Sequence, residues 1–429
     1  MQSSTGAWAV TPQAVESAPV DGRLRECPGC GLIQRLPPLP RGSVARCSRC
    51  SAVLRRRRVD PVGRSLALAV TGLLLFAIAL SLPFIDVQVG GRVRATTLLT
   101  GPIELERQGA WELALAVVVT TLGAPLARLG ALTYVLLAMR LPRPPRHLYA
   151  VFRWVEWLSP WSMVEVFLLG VLVAYTRLVA MAHVEIGGAV IALGGIMLAL
   201  AAADGALDHE AVWEGLERRG VTARRIGGRE AGHGGRLTGC DSCGLVSRAT
   251  LTCPRCDANI RPRKPDSLVR ASALLVAATA LYLPANILPV MTVIRLGRGA
   301  PSTILSGVEE LGAVGMWPLA ALVFFASITV PVLKLIGLTV LLVSTRRGAR
   351  TRLRERTLLY RIVDSVGRWS MIDVFMISIL TALVQMGTLA SVYPGLGAVA
   401  FCGVVFLTIL ASGSFDSRLM WDAAGHNKQ

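Results

Sequence analysis

Negative charge is scarce in this chain. Its 429 residues carry 27 Asp and Glu against 45 Lys and Arg, a formal charge of +18 at neutral pH. Aromatic residues make up only 6%. The histidines, His147, His183, His209, His233 and His426, stand in no HExxH or other ligand spacing, which argues against a histidine-held catalytic metal. No GxxxxGK[ST] phosphate loop, GxGxxG nucleotide fingerprint or GxSxG elbow occurs, which argues against an ATPase or a hydrolase. The chain is read as a non-enzyme. Residues 1–22 have neither a basic start nor an apolar core, so no signal peptide is expected there and the stretch reads as disordered.

Apolar sequence is what the chain has most of. It is 53% hydrophobic with a mean hydropathy of +0.55, which points to a polytopic membrane protein. Eight segments are long enough to cross ~30 Å of hydrocarbon. They fall at roughly 65–85, 111–139, 161–182 and 186–203, then 268–290, 315–344, 369–388 and 395–411. Tight joints, at 183–185 and around 393–394, connect the third and fourth of each set. Arg140, Arg143, Arg146 and Arg153 lie in one connection; Arg346, Arg347, Arg350, Arg352, Arg354, Arg356 and Arg361 lie in its counterpart. Loops 86–110 and 291–312 are nearly balanced in charge. The positive-inside bias therefore places the basic loops and both termini in the cytoplasm. The basic stretches lack interleaved aromatics apart from Trp154, Trp157 and Tyr360, which read as interfacial anchors. Anionic headgroups are the better contact, and no nucleic acid is expected.

The chain is a duplication. WSMVEVF at 161–167 returns as WSMIDVF at 369–375. Gly101, Trp111, Pro125 and Arg128 match Gly307, Trp317, Pro331 and Lys334, all 206 positions on. Arg153, Trp161, Asp208 and Trp213 match Arg361, Trp369, Asp416 and Trp421, all 208 positions on. A fixed period of this kind is the signature of a repeated structural unit.

Each half opens with two CxxC pairs. Cys27, Cys30, Cys47 and Cys50 leave sixteen residues between pairs; Cys240, Cys243, Cys253 and Cys256 leave nine. Two such knuckles supply four thiolates to one tetrahedral ion, the pattern of a zinc ribbon. Structural zinc, one ion per site, is favoured over iron. Redox thiols would need the strand–CxxC–helix context of a larger fold. Domains this small have too little core to fold alone, so the metal would supply most of their stability. Both Cys-rich segments fall on the cytoplasmic side. Cys402 stands in an apolar run and reads as a buried small residue.

The expected fold is an α-helical polytopic membrane protein of two tandem repeats, each a small zinc ribbon followed by four transmembrane helices. The expected boundaries are a disordered start at 1–22, ribbons at 23–58 and 236–264, and membrane modules at 62–215 and 265–422. A linker at 216–235 and a tail at 423–429 complete the chain.

Several polar residues enter the apolar segments. Glu165 and Asp373 stand at the mouths of the third spans, where a carboxylate costs about 2.5–3.5 kcal/mol on insertion scales. Lys334 and its twin Arg128 each follow a proline by three residues, Pro331 and Pro125, whose missing N–H frees a carbonyl. Snorkelling to the headgroups is the alternative for both cations. The expected intramembrane set is Lys334 with Asp373, Ser370 and Thr408, joined by Ser412. In the first half it is Arg128, Glu165 and Ser162. Such groups form either a proton relay or an ion pair that fixes helix register. Asp208, Glu210, Asp416, Arg418 and Asp422 are expected to cap the bundle and touch the ribbons.

These motifs together resemble the paraquat-inducible protein A family. The segments that carry the resemblance are CPGCGLIQRLPPLPRGSVARCSRC, CPRC followed by RPRKPDSLVRASALL, LYLPANILPVM, GMWPLA, VPVLKLIGL, RWSMIDVFM and FLTILASGSFDSRLMWD. The first half is the looser copy. Leu82-Pro83-Phe84 stands where the second half has LPANILPV, and Pro160 stands where it has Arg368. The resemblance implies a bacterial inner-membrane protein that works with a periplasmic tunnel partner carrying mammalian-cell-entry (MCE) domains. It also implies movement of phospholipid between the two membranes. A scaffold that anchors the tunnel and moves nothing is the alternative; a membrane thiol-redox protein is the third reading. Any energy source would be a partner or the proton gradient.

Overall fold

The computed structural model describes residues 24–89, 92–179, 183–223, 237–248, 251–295, 298–313, 315–384 and 390–426. The expected disordered start, residues 224–235 of the expected linker, 385–388 of the seventh segment and 427–429 of the tail lie outside them.

Two antiparallel hairpins open the first half, β1 (Leu24–Glu26) with β2 (Ile33–Arg35) and β3 (Val44–Arg46) with β4 (Val53–Arg56). Helix α1 (Pro61–Ser81) starts at once, with Asp60 accepting the Gly63 N–H and proline at the first position, where its missing donor costs nothing. A hairpin of β5 (Ile85–Val89) and β6 (Arg92–Ala95) leads to α2 (Thr100–Arg107). The second span is α3 (Trp111–Val118), a π turn over Val119–Gly123, and α4 (Ala124–Ala138). The third is α5 (Leu148–Leu158), a 3-10 turn over Ser159–Trp161, and α6 (Val164–Val179). Strand β7 (His183–Ile186), α7 (Gly188–Ala206) and α8 (His209–Arg218) complete the half.

The second half repeats this order. After β8 (Leu237–Gly239) and β9 (Val246–Arg248) come α9 (Ser267–Ile287), β10 (Met291–Arg295), β11 (Arg298–Ser302) and α10 (Ile304–Ala313). Then follow α11 (Trp317–Phe324), a π turn over Phe325–Thr329, and α12 (Val330–Arg346). Next are α13 (Leu353–Val366), a 3-10 turn over Gly367–Met371, and α14 (Ile372–Leu383). Strand β12 (Ala390–Pro394), α15 (Leu396–Ser414) and α16 (Arg418–Ala423) end the chain's described part.

Among the described residues, 8 helical runs are long and apolar enough to cross a membrane. The protein is a multi-pass membrane protein of two repeats, each with a four-cysteine domain and four such helices. Two features differ from the sequence reading. The basic connections carry helices, α5 and α13, that run on into the third spans as Leu148–Thr176 and Leu353–Leu383. Their apolar residues are spaced helically: Leu148, Phe152 and Val155 of α5 and Leu353 and Val363 of α13 are buried, while Arg354 and Glu355 of α13 are exposed. A long apolar run is what marks a span, so this pattern escaped. The joints before the fourth spans are strands. β7 adds to the β5–β6 hairpin and β12 to the β10–β11 hairpin, giving two three-stranded antiparallel sheets.

Each half packs its first span on its fourth, α1 on α7 and α9 on α15. The halves meet along α6 and α14, where the twin rings Phe167 and Phe375 lie edge to face at 5.5 Å. α14 is also covered by α2. The approach needs Gly101, since a Cβ there would lie 2.7 Å from Ser378 Oγ. Among the described residues no comparable packing joins α10 to α6, so the two halves are not equivalent. Every residue of α14 is buried.

The cysteine domains cross over. The first domain's cysteines share their apolar cluster with Ala271, Leu275, Leu335, Leu353 and Trp421, all from the second half. The second domain leans on the first half: Arg153 Nη1 donates to Cys256 O at 3.1 Å, Ser242 Oγ to Glu156 at 3.5 Å, and Arg255 pairs with Glu217. The two domains also touch. Glu26 Oε2 accepts the Gly239 N–H at 2.6 Å, while its Oε1 faces Arg263 and Arg418 at 3.3 Å each.

Candidate metal centres and buried polar cluster

All four CxxC segments fold as the same knuckle. The N–H after each second cysteine donates to the first cysteine's carbonyl: Gly31 to Cys27, Ser51 to Cys47, Gly244 to Cys240 and Asp257 to Cys253, at 2.9–3.0 Å. That residue is left-handed in every case, with φ from 57° to 72°, which favours the glycine found at two of the four. The N–H of each first cysteine donates back to the residue two past the second: Leu32, Ala52, Leu245 and Ala258. Each knuckle thereby aims both sulfurs at one point.

The result is two closed groups. Cys27, Cys30, Cys47 and Cys50 place their sulfurs within 4.8 Å of one another, as do Cys240, Cys243, Cys253 and Cys256. The shortest Sγ–Sγ separations are 3.4 and 3.5 Å in the first group, 3.5 and 3.6 Å in the second. A tetrahedron with Zn–S bonds of ~2.3 Å has edges of about 3.8 Å, so both groups fit a thiolate-held divalent ion with little adjustment. The electrostatics agree. Hydrogen bonds from Cys27 and Cys30 hold the Cys47 thiol below its ordinary range, and the contact with Cys27 pushes Cys30 above it. Cys243 draws Cys240 down, and Cys240 pushes Cys243 up. Four thiolates coexist at this spacing only around a cation. All eight sulfurs belong to residues at most 6% exposed, so thiol exchange has no access.

A second group of polar residues lies within the spans. In the second half Ser327, Lys334, Ser370, Asp373, Ser378, Thr381 and Thr408 are each at most 3% exposed. The π turn bearing Ser327 packs against the 3-10 turn bearing Ser370, and Lys334 follows on α12. Ser327 Oγ, Lys334 Nζ, Ser370 Oγ and Thr381 Oγ1 have no hydrogen-bond partner among the described residues. Thr408 and Ser412 are satisfied by their own helix, through Val405 O and Ile409 O. Lys334 does not bond to Asp373. The carboxylate acting on it is Asp364 of α13, and its Nζ lies against Gly367.

The first half differs at the twin cation, although Arg128 Nε and Thr133 Oγ1 also lack a hydrogen-bond partner among the described residues. Arg128 forms an ion pair with Asp204 near the end of α7. Thr120 and Thr121 donate to their own helix, at Ala116 O and Val117 O. Ser162 is buried at 4%, and Glu165 is half-buried at the start of α6. Neither Asp204 nor Asp364 nor the π turns figured in the sequence reading. The signal for Asp204 was present: its twin, 208 positions on, is Ser412, so the duplication keeps a cation and drops its carboxylate. A π turn is rare and is found mostly at functional sites. Here each lies just before the proline that follows it, Pro125 or Pro331, and re-routes the hydrogen bonds which that proline interrupts.

Where the helices end, the chain's carboxylates meet the cysteine domains. Glu210 faces Arg25 at 2.8 Å and Arg55 at 3.2 Å, and Asp422 faces Arg263 at 2.6 Å. Asp416 accepts from Arg418 Nε at 3.0 Å and from the Lys264 N–H at 3.1 Å. Burial works against the charged form of Asp416, but these donors outweigh it and hold the carboxyl below its ordinary range.

The profile of the family described as paraquat-inducible protein A matches residues 62–217 and, separately, 268–425. The chain belongs to that family. The two matches coincide with the two helical bundles and stop short of both cysteine domains. Among relatives, the Intermembrane transport protein PqiA of Escherichia coli (strain K12) is 35% identical over 406 residues, covering 92% of this chain and 95% of the relative. The Lipophilic envelope-spanning tunnel protein A of the same organism is 32% identical over 414 residues, covering 96% and 95%. A Probable intermembrane transport protein of Haemophilus influenzae is 33% identical over 171 residues, covering 40% and 41%. No solved structure matches. Of these relatives, one matched over nearly its full length is named for transport between membranes and the other for a tunnel that spans the envelope.

Proposed function

We propose that this chain is the inner-membrane subunit of a lipid transport system, loading or extracting phospholipid for a periplasmic tunnel of MCE-domain proteins. The reading rests on one observation: among the described residues Lys334 Nζ, Ser327 Oγ, Ser370 Oγ and Thr381 Oγ1 are buried in a bundle of this family without a hydrogen-bond partner, whereas Arg128, the twin of Lys334, is paired with Asp204. A pair that only fixes helix register would be satisfied, as Arg128 and Asp204 are. A group that changes partners or protonation through a cycle needs a donor not committed to one acceptor, as Lys334 Nζ is among the described residues. Lys334 and Asp373, with Ser370 and Thr408, act as that switch, driven by a partner or the proton gradient. The first-half set, Arg128, Glu165 and Ser162, serves structure.

Zinc fills both four-cysteine groups and holds the ribbons, at 23–58 and 236–264, against membrane modules at 62–215 and 265–422. The arginine excess at the ribbon end sets that end in the cytoplasm, with both termini. The protein carries out no catalysis of its own.

Complementation of an envelope-defective strain by Lys334→Ala and Asp373→Asn is the test. Loss of function in both, with normal membrane levels, is expected. Full complementation by both would sink the switch, and would favour a scaffold that anchors the tunnel without moving lipid. Two zinc ions per purified chain would exclude a thiol-redox role.

A further inference from the structure

We propose that Arg361 is an outer donor to the first metal centre, supplied by the half of the chain that does not carry that centre's ligands, and that it makes the two centres unequal in metal retention. Arg361 sits on α13. Its Nη2 lies 3.4 Å from Cys50 Sγ and 3.4 Å from Cys50 O. A guanidinium N–H aimed at a thiolate is a charge-assisted bond, which stabilises the sulfur's charge and fixes its lone pairs toward the ion.

The approach depends on one missing atom. Gly29 stands inside the CPGC knuckle, and a Cβ there would lie 3.0 Å from Arg361 Nη2 and 3.3 Å from Cys50 Sγ. Its φ is unremarkable, so this glycine is needed for space and not for backbone conformation. The duplication supplies an internal control. Arg153, the twin of Arg361, points at the other ribbon in the same way, but its Nη1 reaches only Cys256 O, at 3.1 Å. At the position matching Gly29 the second ribbon has Ser242, whose Oγ donates to Glu156 instead. One centre therefore has a cation bonded to a ligand sulfur, and the other has a cation bonded to a ligand's carbonyl.

The coupling runs both ways. Whatever Arg361 adds to metal binding, the metal adds to the seating of α13, since the two are linked equilibria. α13 ends at Gly367, against which Lys334 Nζ lies. One helix, α13, thus carries both the donor to the first centre and the turn that Lys334 lies against.

The test uses the full-length, zinc-loaded protein in detergent and follows metal transfer to an excess of chromophoric chelator. Release is expected in two phases, the slow one lost on Cys50→Ser. Arg361→Ala should speed the slow phase about tenfold, the lower end of outer-shell effects, and leave the fast phase alone. Arg361→Lys should restore part of the retention, and Gly29→Ser should reproduce the alanine variant. With cobalt in place of zinc, the thiolate charge-transfer band should move in Arg361→Ala and stay in Arg153→Ala. Equal acceleration of both phases in Arg361→Ala would mean lost docking and would overturn the proposal. So would unchanged release in both Arg361→Ala and Gly29→Ser, or a band that does not move. Should Arg361→Ala fail to fold, Arg361→Lys and Gly29→Ser decide. The proposal rests on the two four-cysteine groups holding metal, and protein that binds no metal at all refutes that premise separately from Arg361.

Discussion

Lys334→Met and Arg128→Met should shift stability in opposite directions, although the two positions are twins. Lys334 is 3% exposed and its Nζ meets no acceptor among the described residues. Leaving a buried polar group unsatisfied costs about 1–3 kcal/mol, and methionine fills nearly the same volume without that cost. The expected gain is about 1–2 kcal/mol. Arg128 is 5% exposed and paired with Asp204, whose side chain is 44% exposed. Breaking a fully buried pair costs about 3–5 kcal/mol. Solvent at Asp204 screens the interaction, so about 1–2 kcal/mol of loss remains. The assay is thermal unfolding of both variants in one lipid nanodisc, by tryptophan fluorescence, beside complementation. Lys334→Met should melt higher than the parent and fail to complement; Arg128→Met should melt lower. A Lys334→Met protein that melts as low as Arg128→Met would show that Lys334 is held by a partner. The contrast between Lys334 and its paired twin Arg128 would then fall.

The remaining predictions concern the cysteine domains and the seam between the halves. Glu26→Ala removes the carboxylate shared by Arg263, Arg418 and the Gly239 N–H. It should cost about 3 kcal/mol, read as a lower melting temperature, with no effect expected if the ribbons do not touch. Asp416, whose folded carboxyl titrates below its ordinary value, stabilises the fold above pH ~4, and that contribution is lost as pH falls through the folded value. Asp416→Asn should therefore flatten the acid limb of the stability profile and leave it unchanged if the Arg418 contact is absent. Stripping the metal should open 24–56 and 237–260 to protease before the helices, because the ribbon cores are largely the cysteines themselves. Gly101→Leu should cost at least about 1–3 kcal/mol by forcing α2 off Ser378, seen as lost folded yield against Gly109→Leu, where nothing lies within 4 Å of an added Cβ but φ is +80°.

Much of this architecture could be read from the chain itself. WSMVEVF and WSMIDVF gave the repeat, the CxxC spacings gave both metal-type groups, and apolar length gave the spans, because each signal is local or strictly periodic. The crossing of the ribbons could not be read. A CxxC pair specifies its ion, and nothing in it says which helix end will cover it; that follows from Arg153, Arg361 and Ser417 reaching the opposite domain across many residues. Helix α13 was hidden because its charged face lowers mean hydropathy, and α5 because it follows Arg140, Arg143 and Arg146 in a stretch read as a basic connection. Strands β5, β7, β10 and β12 were hidden because 4–5 residues between long apolar segments carry too little alternation. Thr408 and Ser412 looked like cluster members by composition, yet both hydroxyls return to their own helix carbonyls, as is common for Ser and Thr in apolar helices. Lys334 was legible as an unusual buried cation. Its carboxylate neighbour was not, because Asp364 lies on a segment that read as loop.

The most direct measurement is purification from native membranes in gentle detergent, after crosslinking in intact cells, with mass spectrometry of what accompanies the protein. An MCE-domain protein should crosslink to the chain, with phospholipid retained by the parent and lost from Lys334→Ala. Zinc-loaded protein carrying neither partner nor phospholipid, with the crosslinker demonstrably active on another envelope complex, would contradict the proposed function.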